Sequence, residues 1–345
     1  MRSSFRRDVK WVRPTHDLSL EIFFEGVRRV RAGAGDAALV VLPSTEYFNT
    51  FLLRHRRKIE EMDCRIPLVQ ASLYARLTEK RSAADFFSTA GLALPRDVPA
   101  SATCDPPIVA KPFRNVSVAG ESLYPHLLQT RAEIRTFFAT HDAKDYFFQE
   151  YVRGDSLYLL FHLSQTGRHE FTWSQRNLLQ QPDGKSMLLA ESSDFHGSET
   201  AARIMRALRD AGFHGLGMVE VIRTADRDVF IEMNPRIWGP VQFCLDQQQP
   251  LLPAFIGEAL HDDPLRFADR QPRRCRRRYF WLGGLLETLR SGRRPTWHAA
   301  RRALFPVILG SLASDVYLRK DSWRCFLHDL FRASKDYQRG ERTQG

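Results

Sequence analysis

The chain has 345 residues, of which 43% are hydrophobic and 26% charged. This composition is typical of a packed globular protein, and it excludes a mainly disordered chain, a collagen-like fibre and a small disulfide-stapled domain. The 51 basic residues exceed the 40 acidic ones by 11. A basic excess of this size is compatible with nucleic acid, a membrane surface or anionic small molecules, or with a solvated arginine-rich surface.

The five cysteines are odd in number and form no CxxC pair, so we expect free thiols in a reducing compartment. The first residues, MRSSFRRDVKWVRP, lack the apolar core of a signal peptide. The most apolar late stretch, residues 303–313, is shorter than the roughly 18 residues that a spanning helix needs. We therefore expect a cytoplasmic protein without a transmembrane segment.

The N-terminal part of the chain alternates strand and helix patterns. Residues 38–43 form an apolar run ended by Pro43, typical of a buried parallel strand, and residues 65–69 are the next candidate strand. Helices are predicted at 46–62 and at 77–90, the second ended by a glycine. This alternation favours an α/β lobe with a parallel sheet.

The middle of the chain is richer in strand patterns, and it follows a linker predicted at 96–106. We expect strands at 107–112, 146–152, 156–164, 169–174, 217–223 and 228–235, and helices at 134–141 and 198–211. Beyond about residue 250 the pattern is helical and strongly basic, with an arginine cluster at 273–278.

The hairpin at 217–236, GMVEVIRTADRDVFIEMNPR, holds the clearest chemistry. Glu232 and Asn234 lie at positions i and i+2 of its second strand and share one face, and antiparallel pairing brings Glu220 beside them. Two carboxylates and an amide oxygen form a hard oxygen site suited to Mg²⁺. Arg236 follows closely, where its guanidinium would meet phosphate. For either glutamate alone, an exposed acidic strand face is the simpler explanation.

The segment EMNPRIWGP resembles the metal-binding signature of the ATP-grasp superfamily, which includes D-alanine–D-alanine ligase, biotin carboxylase and carbamoyl phosphate synthetase. Its Trp-Gly after Asn-Pro-Arg is most similar to the bacterial carboxylate–amine ligase branch. The resemblance runs to about residue 260. It implies an α/β fold with α+β subdomains, consisting of a shortened N-terminal lobe (1–95), an ATP-grasp region (96–260) and a basic, mainly helical extension (261–345). The chain is expected to begin inside that lobe, which is either reduced or preceded by further residues.

The resemblance also implies roles for the hairpin residues. Glu220, Glu232 and Asn234 match the positions that hold Mg²⁺, or Mn²⁺, between the ATP phosphates. Arg236 matches an arginine at the transferring phosphate or acyl phosphate, and Arg176 is placed for a similar contact. The family's Trp-Gly predicts a wall beside the metal site, formed by Trp238 and Gly239, although a core tryptophan explains Trp238 equally well.

Further positions match ATP contacts. Lys111, in the segment IVAKP, and Lys80, on an early helix, correspond to phosphate- and nucleotide-binding lysines, although a lysine reaching solvent explains either one. Glu150, Tyr151 and Val152 match the hinge that reads adenine. Asp155, or Ser156 in its place, would hold the ribose hydroxyls. The flap over the phosphates, residues 113–120, has a single glycine, so Arg114 and Ser117 are candidate replacements.

The function implied is an ATP-dependent ligase that activates a carboxylate as an acyl phosphate for attack by an amine, releasing ADP and phosphate. Its partners would be small-molecule carboxylates and amines, and a homodimer is possible. Two alternatives remain: an ATP-grasp protein that binds nucleotide without catalysis, and a basic nucleic-acid-binding protein. The second is prompted by the arginine cluster, yet the chain carries no recognised nucleic-acid motif.

Overall fold

A computed structural model describes residues 4–14, 18–35, 37–113, 123–267, 278–298, 301–319 and 322–328. The helices are α1 (Leu20–Ala34), α2 (Glu46–Arg54), α3 (Arg56–Glu60), α4 (Ala71–Thr78), α5 (Lys80–Thr89), α6 (Arg131–Thr140), α7 (Glu199–Asp210), α8 (Val241–Asp246), α9 (Leu251–His261), α10 (Leu282–Arg290) and α11 (Arg301–Ser311), with a further short helix at residues 323–328. The strands are β1 (Leu39–Val40), β2 (Cys64–Arg65), β3 (Asp97–Val98), β4 (Ile108–Pro112), β5 (His126–Leu128), β6 (Tyr146–Glu150), β7 (Asp155–Leu163), β8 (Glu170–Gln180), β9 (Met187–Ser193), β10 (Gly215–Arg223), β11 (Asp228–Asn234), β12 (Arg278–Phe280) and β13 (Thr296–Trp297).

The N-terminal lobe has the predicted parallel pairing, but its strands are only two residues long. Leu39 pairs with Cys64 in a β1–β2 ladder, which α3 and α9 contact. The helix predicted at 46–62 is two helices, because His55, at φ −112° and ψ 16°, leaves the helical region.

The helix predicted at 77–90 is also broken, and the break positions a site residue. Glu79 is extended, at φ −71° and ψ 125°, and its carboxylate accepts the Arg81 and Ser82 N–H groups at 3.0 and 2.7 Å. It is therefore the N-cap of α5, and Lys80 is the first residue of that helix. The sequence pattern missed the break because both helices bury apolar residues on the same side, as Leu77 and Phe87 show.

A small antiparallel sheet follows, in the order β3-β6-β4-β5. The segment 96–106, predicted as a linker, contributes β3, which pairs with β6. One face of the sheet packs on α6, with Ile108 and Ala110 in that core. Since side chains alternate along a strand, Val109 and Lys111 lie on the other face.

The large sheet has seven strands in the order β11-β10-β7-β8-β9-β12, with β13 pairing to β8, and every pairing is antiparallel. One face packs on α7 and on the N-terminal lobe, where Phe87 stacks on Phe230 with ring centroids 4.5 Å apart. The other face packs on α8 and α9 through residues such as Trp238 and Phe243. Because both faces are covered, strand β8 is almost continuously buried and is longer than the 169–174 predicted.

The C-terminal part adds α10 and α11 and the two short strands β12 and β13, which join the large sheet. The division at residues 95 and 260 stays a prediction. Residues 114–120 of the predicted flap and residues 273–277 of the arginine cluster lie outside the described residues. Cys64, Cys104, Cys244 and Cys325 are free thiols. In the part of the chain that the structure describes, no helix has the length and apolarity required to cross a bilayer.

Candidate functional site

Two glutamates face each other on the face of the large sheet that also holds α8 and α9. Glu220 on β10 pairs directly with Glu232 on β11, and Glu220 is only 7% exposed. Burial raises the pKa of the Glu220 carboxyl to about 8, and repulsion from Glu232 adds to the rise. Glu220 is therefore largely protonated near neutral pH, and a cation bound beside the pair would favour its ionised form.

A chain of hydrogen bonds supports Glu220 from the neighbouring strands. Ser156 Oγ donates to Glu220 Oε1 at 2.8 Å, and Asn177 Nδ2 donates to Ser156 Oγ at 2.8 Å. Gln175 Nε2 in turn donates to Asn177 Oδ1 at 2.9 Å. Ser156 is the predicted alternative to Asp155 for the ribose contact, but its hydroxyl is hydrogen-bonded to Glu220 in the structure. The chain fixes the orientation of one carboxylate oxygen and leaves the other available.

Lys111 brings a positive charge to this pair from the small sheet. Its Nζ donates to the main-chain oxygen of Ile231 at 3.2 Å, between the two glutamates in the hairpin. Burial lowers the pKa of Lys111, while the charges of Glu232 and Glu220 act in the opposite direction. Lys80, at the start of α5, is close enough that its charge also lowers the pKa of Lys111. Lys111 thus lies within the electrostatic reach of both predicted glutamates, and Lys80 lies near Lys111.

Asn234 and Arg236 complete the group. Asn234 Nδ2 donates to Glu232 Oε1 at 2.7 Å, and Arg236 Nη2 donates to Asn234 Oδ1 at 2.9 Å. Arg236 Nη1 also donates to the main-chain oxygen of Ile237 at 3.0 Å, which fixes the guanidinium beside the sheet edge. Glu220, Glu232 and Asn234 therefore supply carboxylate and amide oxygens with a guanidinium next to them. Within the described ranges, no three His, Cys, Asp or Glu side chains form a group that could hold a metal ion.

The predicted hinge lies beside a separate cleft of about 890 Å³. Among the residues lining it are Pro107, Leu127, Tyr151, Gly154, Asp155 and Trp297. Val152 is half-buried in the same segment. The carboxylate of Glu150 accepts a hydrogen bond from the main-chain N–H of Arg96 at 3.1 Å and forms an ion pair with the Arg227 guanidinium at 3.5 Å. The negative charge of Glu150 is therefore already paired with an arginine.

A glycine is required at the end of the hinge. A Cβ on Gly154 would lie 2.2 Å from the main-chain oxygen of Arg223, closer than any real contact. The main chain of the hinge at Gly154 is therefore in direct contact with the main chain at the end of β10. This close passage holds Asp155 at the mouth of the cleft.

The structure does not bring Arg176 to the glutamates. On β8, Gln175 pairs with Tyr158 of β7, and Tyr158 in turn pairs with Glu220 of β10. Arg176 is the next residue of β8 and pairs with Leu157. Since neighbours along a strand point to opposite faces, Arg176 lies on the face away from Glu220. Its guanidinium binds Glu191 and approaches Asp155 to 3.8 Å. Its predicted phosphate contact stays a prediction.

Three buried polar residues belong to the site although the sequence motifs did not select them. They are Gln175, Asn177 and Tyr158, whose hydroxyl accepts a hydrogen bond from Gln180 Nε2 at 3.2 Å. The available signal was the polar spacing of Gln175 and Asn177 at i and i+2 of a strand. Trp238 is 2% exposed and packs with Phe243 below the site, while Gly239 is exposed.

No protein-family model matches the sequence, and no curated protein matches it. Biotin carboxylase from Campylobacter jejuni, in a β-γ-ATP complex, is 13% identical with a TM-score of 0.51, and the match covers 74% of this chain and 60% of that one. The biotin carboxylase domain dimer of Hydrogenobacter thermophilus 2-oxoglutarate carboxylase, with MgADP, ADP and bicarbonate, is 12% identical with a TM-score of 0.50, covering 75% and 60%. N5-carboxyaminoimidazole ribonucleotide synthetase from Thermus thermophilus is 15% identical with a TM-score of 0.51, covering 70% and 65%.

The chain spans less than two thirds of each of these three structures. At such identities the likeness concerns the fold alone. The chain therefore has the ATP-grasp fold, which confirms the predicted fold class.

Proposed function

We propose that the protein is an ATP-dependent ligase that activates a substrate carboxylate for attack by an amine. The observation that carries the proposal is the convergence of Lys111, from the small sheet, with Glu220 and Glu232 of the large sheet. Cationic groups facing a carboxylate pair form an arrangement suited to a nucleotide phosphate held through a divalent cation.

Glu220, Glu232 and Asn234 would hold Mg²⁺, or Mn²⁺. The fit rests on the donor set: all three offer hard oxygens, and the raised pKa of Glu220 marks an uncompensated buried carboxyl. When bound, the ion supplies positive charge to the phosphate oxygens. Ser156 keeps Glu220 oriented through its hydrogen bond, as outer-shell groups do at metal sites. The Hydrogenobacter domain, which shares the fold, was solved with MgADP.

ATP would lie between the two sheets. Lys111 and Lys80 would hold its phosphates, and the main chain at Tyr151 and Val152 would read the adenine edge. Asp155 at the cleft would accept hydrogen bonds from the ribose hydroxyls. Glu150 contributes by fixing the hinge to Arg96 rather than through a free carboxylate.

In the proposed reaction a carboxylate oxygen of the substrate attacks the γ-phosphorus, and the bond from that phosphorus to the bridging oxygen of ADP breaks. The amine then attacks the acyl carbon of the acyl phosphate, loses a proton, and inorganic phosphate leaves. Arg236 would stabilise the negative charge on the transferring group, since its guanidinium is fixed beside Asn234. The protein contributes clamps and orientation rather than a covalent nucleophile.

We further propose small-molecule carboxylate and amine substrates and a homodimeric state. The dimer is supported by the Hydrogenobacter domain, which is described as a dimer. Sedimentation equilibrium of the full chain tests this part independently of catalysis.

Calorimetric titration of ATP into the full chain, with Mg²⁺ and with EDTA, tests the nucleotide site. We expect binding that requires Mg²⁺ and that Glu232→Gln abolishes without altering the circular dichroism spectrum. The matched control is Glu287→Gln, at an exposed glutamate on α10, which should bind as the parent does. Binding that Glu232→Gln leaves unchanged would contradict the metal assignment.

A screen of carboxylates and amines for ADP release then tests the ligase reaction. We expect ADP release only when a carboxylate is present, with Glu232→Gln inactive. Magnesium-dependent ATP binding without ADP release from any pair would instead favour a nucleotide-binding protein without catalysis.

A further inference from the structure

The positive charge of this protein is concentrated at its C-terminal end. Residues 261–345 hold 19 of the 51 basic residues but only nine of the 40 acidic ones, a net charge of +10 out of +11 for the whole chain. The first 260 residues are therefore almost neutral. The proposed catalytic site lies in that neutral part and does not use the charged segment.

The same segment exposes large apolar side chains on an ordered helix. On α11, Phe305 and Leu309 are 74% and 61% exposed, and Leu312 follows at 38%. Their i, i+4, i+7 spacing places them on one face of the helix. The opposite face packs on the protein, since Val307 and Ile308 contact the core of Phe280 and Leu285. The exposed apolar face therefore belongs to a helix whose opposite face packs on the protein core.

A second short helix, residues 323–328, repeats this combination. Trp323 and Leu327 are 46% and 38% exposed at i and i+4, and the Arg324 guanidinium lies 5.4 Å from the Trp323 ring centroid. An arginine beside an exposed tryptophan is an amphipathic arrangement, because the indole ring is apolar and the guanidinium is charged. Arg290 and Arg294 add exposed positive charge near α10.

We propose that the α11 face and the 323–328 helix form a docking surface for an anionic lipid bilayer. Interfacial helices of peripheral proteins combine bulky apolar side chains, which enter the headgroup region, with arginines that bind anionic lipid. The aliphatic side chains of Leu309 and Leu312 favour a bilayer over nucleic acid, which binds through aromatic and basic side chains rather than leucines. Arg290, Arg294 and Arg324 add exposed positive charge to this part of the structure, and like charges on a second copy would oppose pairing of the same surface.

Flotation of the full chain with vesicles tests the proposal. We expect the protein to float with vesicles of phosphatidylcholine containing phosphatidylglycerol, and to float far less with phosphatidylcholine alone or at high salt. The double variant Phe305→Ser/Leu309→Ser should bind anionic vesicles at least about tenfold more weakly, because two bulky groups no longer enter the interface. Both side chains are exposed, so the variant should keep the parent's melting temperature and ATP binding.

The control is Val12→Ser/Tyr47→Ser, which removes two apolar side chains that are 62% and 66% exposed in the N-terminal part. This control should float as the parent does. Equal flotation with neutral and anionic vesicles, or unchanged flotation of the Phe305/Leu309 variant, would overturn the proposal. Dissociation of a dimer on the same substitution would also overturn it and would assign the face to a second copy of the chain. A higher affinity for single-stranded RNA than for the vesicles would overturn it as well.

Discussion

Glu220 and Glu232 stand opposite each other across β10 and β11, and the ladder slips by one residue immediately beside them. Glu220 pairs with Glu232, but Val221 pairs with Phe230, so Ile231 is an extra residue in the second strand. A bulge leaves its extra residue outside the regular ladder. The main-chain oxygen of Ile231 is thereby available to Lys111 Nζ, at 3.2 Å. The bulge thus couples the carboxylate pair to the lysine of the small sheet.

Lys111→Ala should weaken ATP binding by at least about tenfold, or roughly 1.4 kcal/mol, because a charge-assisted contact to phosphate is lost. The same change leaves the Glu220–Glu232 pair less compensated, so we also expect a lower free energy of unfolding. Calorimetry and chemical denaturation measure the two effects. Lys144→Ala, at an exposed lysine in the turn before β6, is the control and should change neither. An ATP dissociation constant equal to the parent's would remove Lys111 from the site.

Ser156→Ala should weaken Mg²⁺ binding, since it removes the hydrogen bond that orients Glu220. Loss of an outer-shell partner lowers metal affinity by about 10- to 100-fold. Asn177 Nδ2 also loses its acceptor in a buried place, so the free energy of unfolding should fall by about 1–3 kcal/mol. Ser192→Ala, at an exposed serine on β9, should affect neither quantity. If the Ser156 variant bound Mg²⁺ as the parent does, the hydrogen-bond chain would have no role at the metal.

Arg176→Gln distinguishes a role of this arginine in ATP binding at the hinge from a contact with the transferring phosphate. Because Arg176 binds Glu191 and lies 3.8 Å from Asp155, we expect a raised KM for ATP with little change in kcat. Arg209→Gln, which breaks a comparable ion pair with Glu170 away from the hinge, should leave both constants unchanged. A fall in kcat at constant KM would instead support the predicted contact to the transferring phosphate.

His298 should make the fold sensitive to mild acid. Burial lowers the pKa of its imidazole to about 4, and its Nε2–H donates to Gln180 Oε1, because the amide nitrogen of Gln180 already donates to Tyr158. The unfolded chain takes up this proton near pH 6.5, and the native protein does so only near pH 4. The stabilisation is therefore present above about pH 6.5 and is lost as the pH falls, by up to about 3 kcal/mol.

Chemical denaturation between neutral pH and about pH 4 measures this effect. His298→Gln should show a smaller loss of stability over that range than the parent. His169→Gln, at a half-buried histidine in the β7–β8 turn, should lose as much as the parent. An identical pH dependence for all three proteins would show that His298 does not carry the linkage.

Local pattern was sufficient for the hairpin. Strands β10 and β11 lie close to their predicted bounds, since a polar turn separates two apolar runs and one strand carries the i, i+2 spacing of Glu232 and Asn234. It was insufficient for β9, whose first four residues are all buried and show no alternation, and for β12 and β13, which are only three and two residues long. The break at Glu79 was also missed, since its cap depends on local backbone geometry rather than on periodicity.

The sequence by itself predicted the acidic and amide residues of the hairpin and the flanking arginine from their spacing, and its resemblance to the ATP-grasp superfamily predicted the two lysines. The tertiary structure alone decided which of these side chains meet. Lys111 reaches the main-chain oxygen of Ile231, next to Glu232, from 120 positions away through the packing of one sheet against the other. Arg176 is directed away from them because the register of β7 with β8 gives it the opposite face, and register depends on pairing between strands rather than on either strand alone.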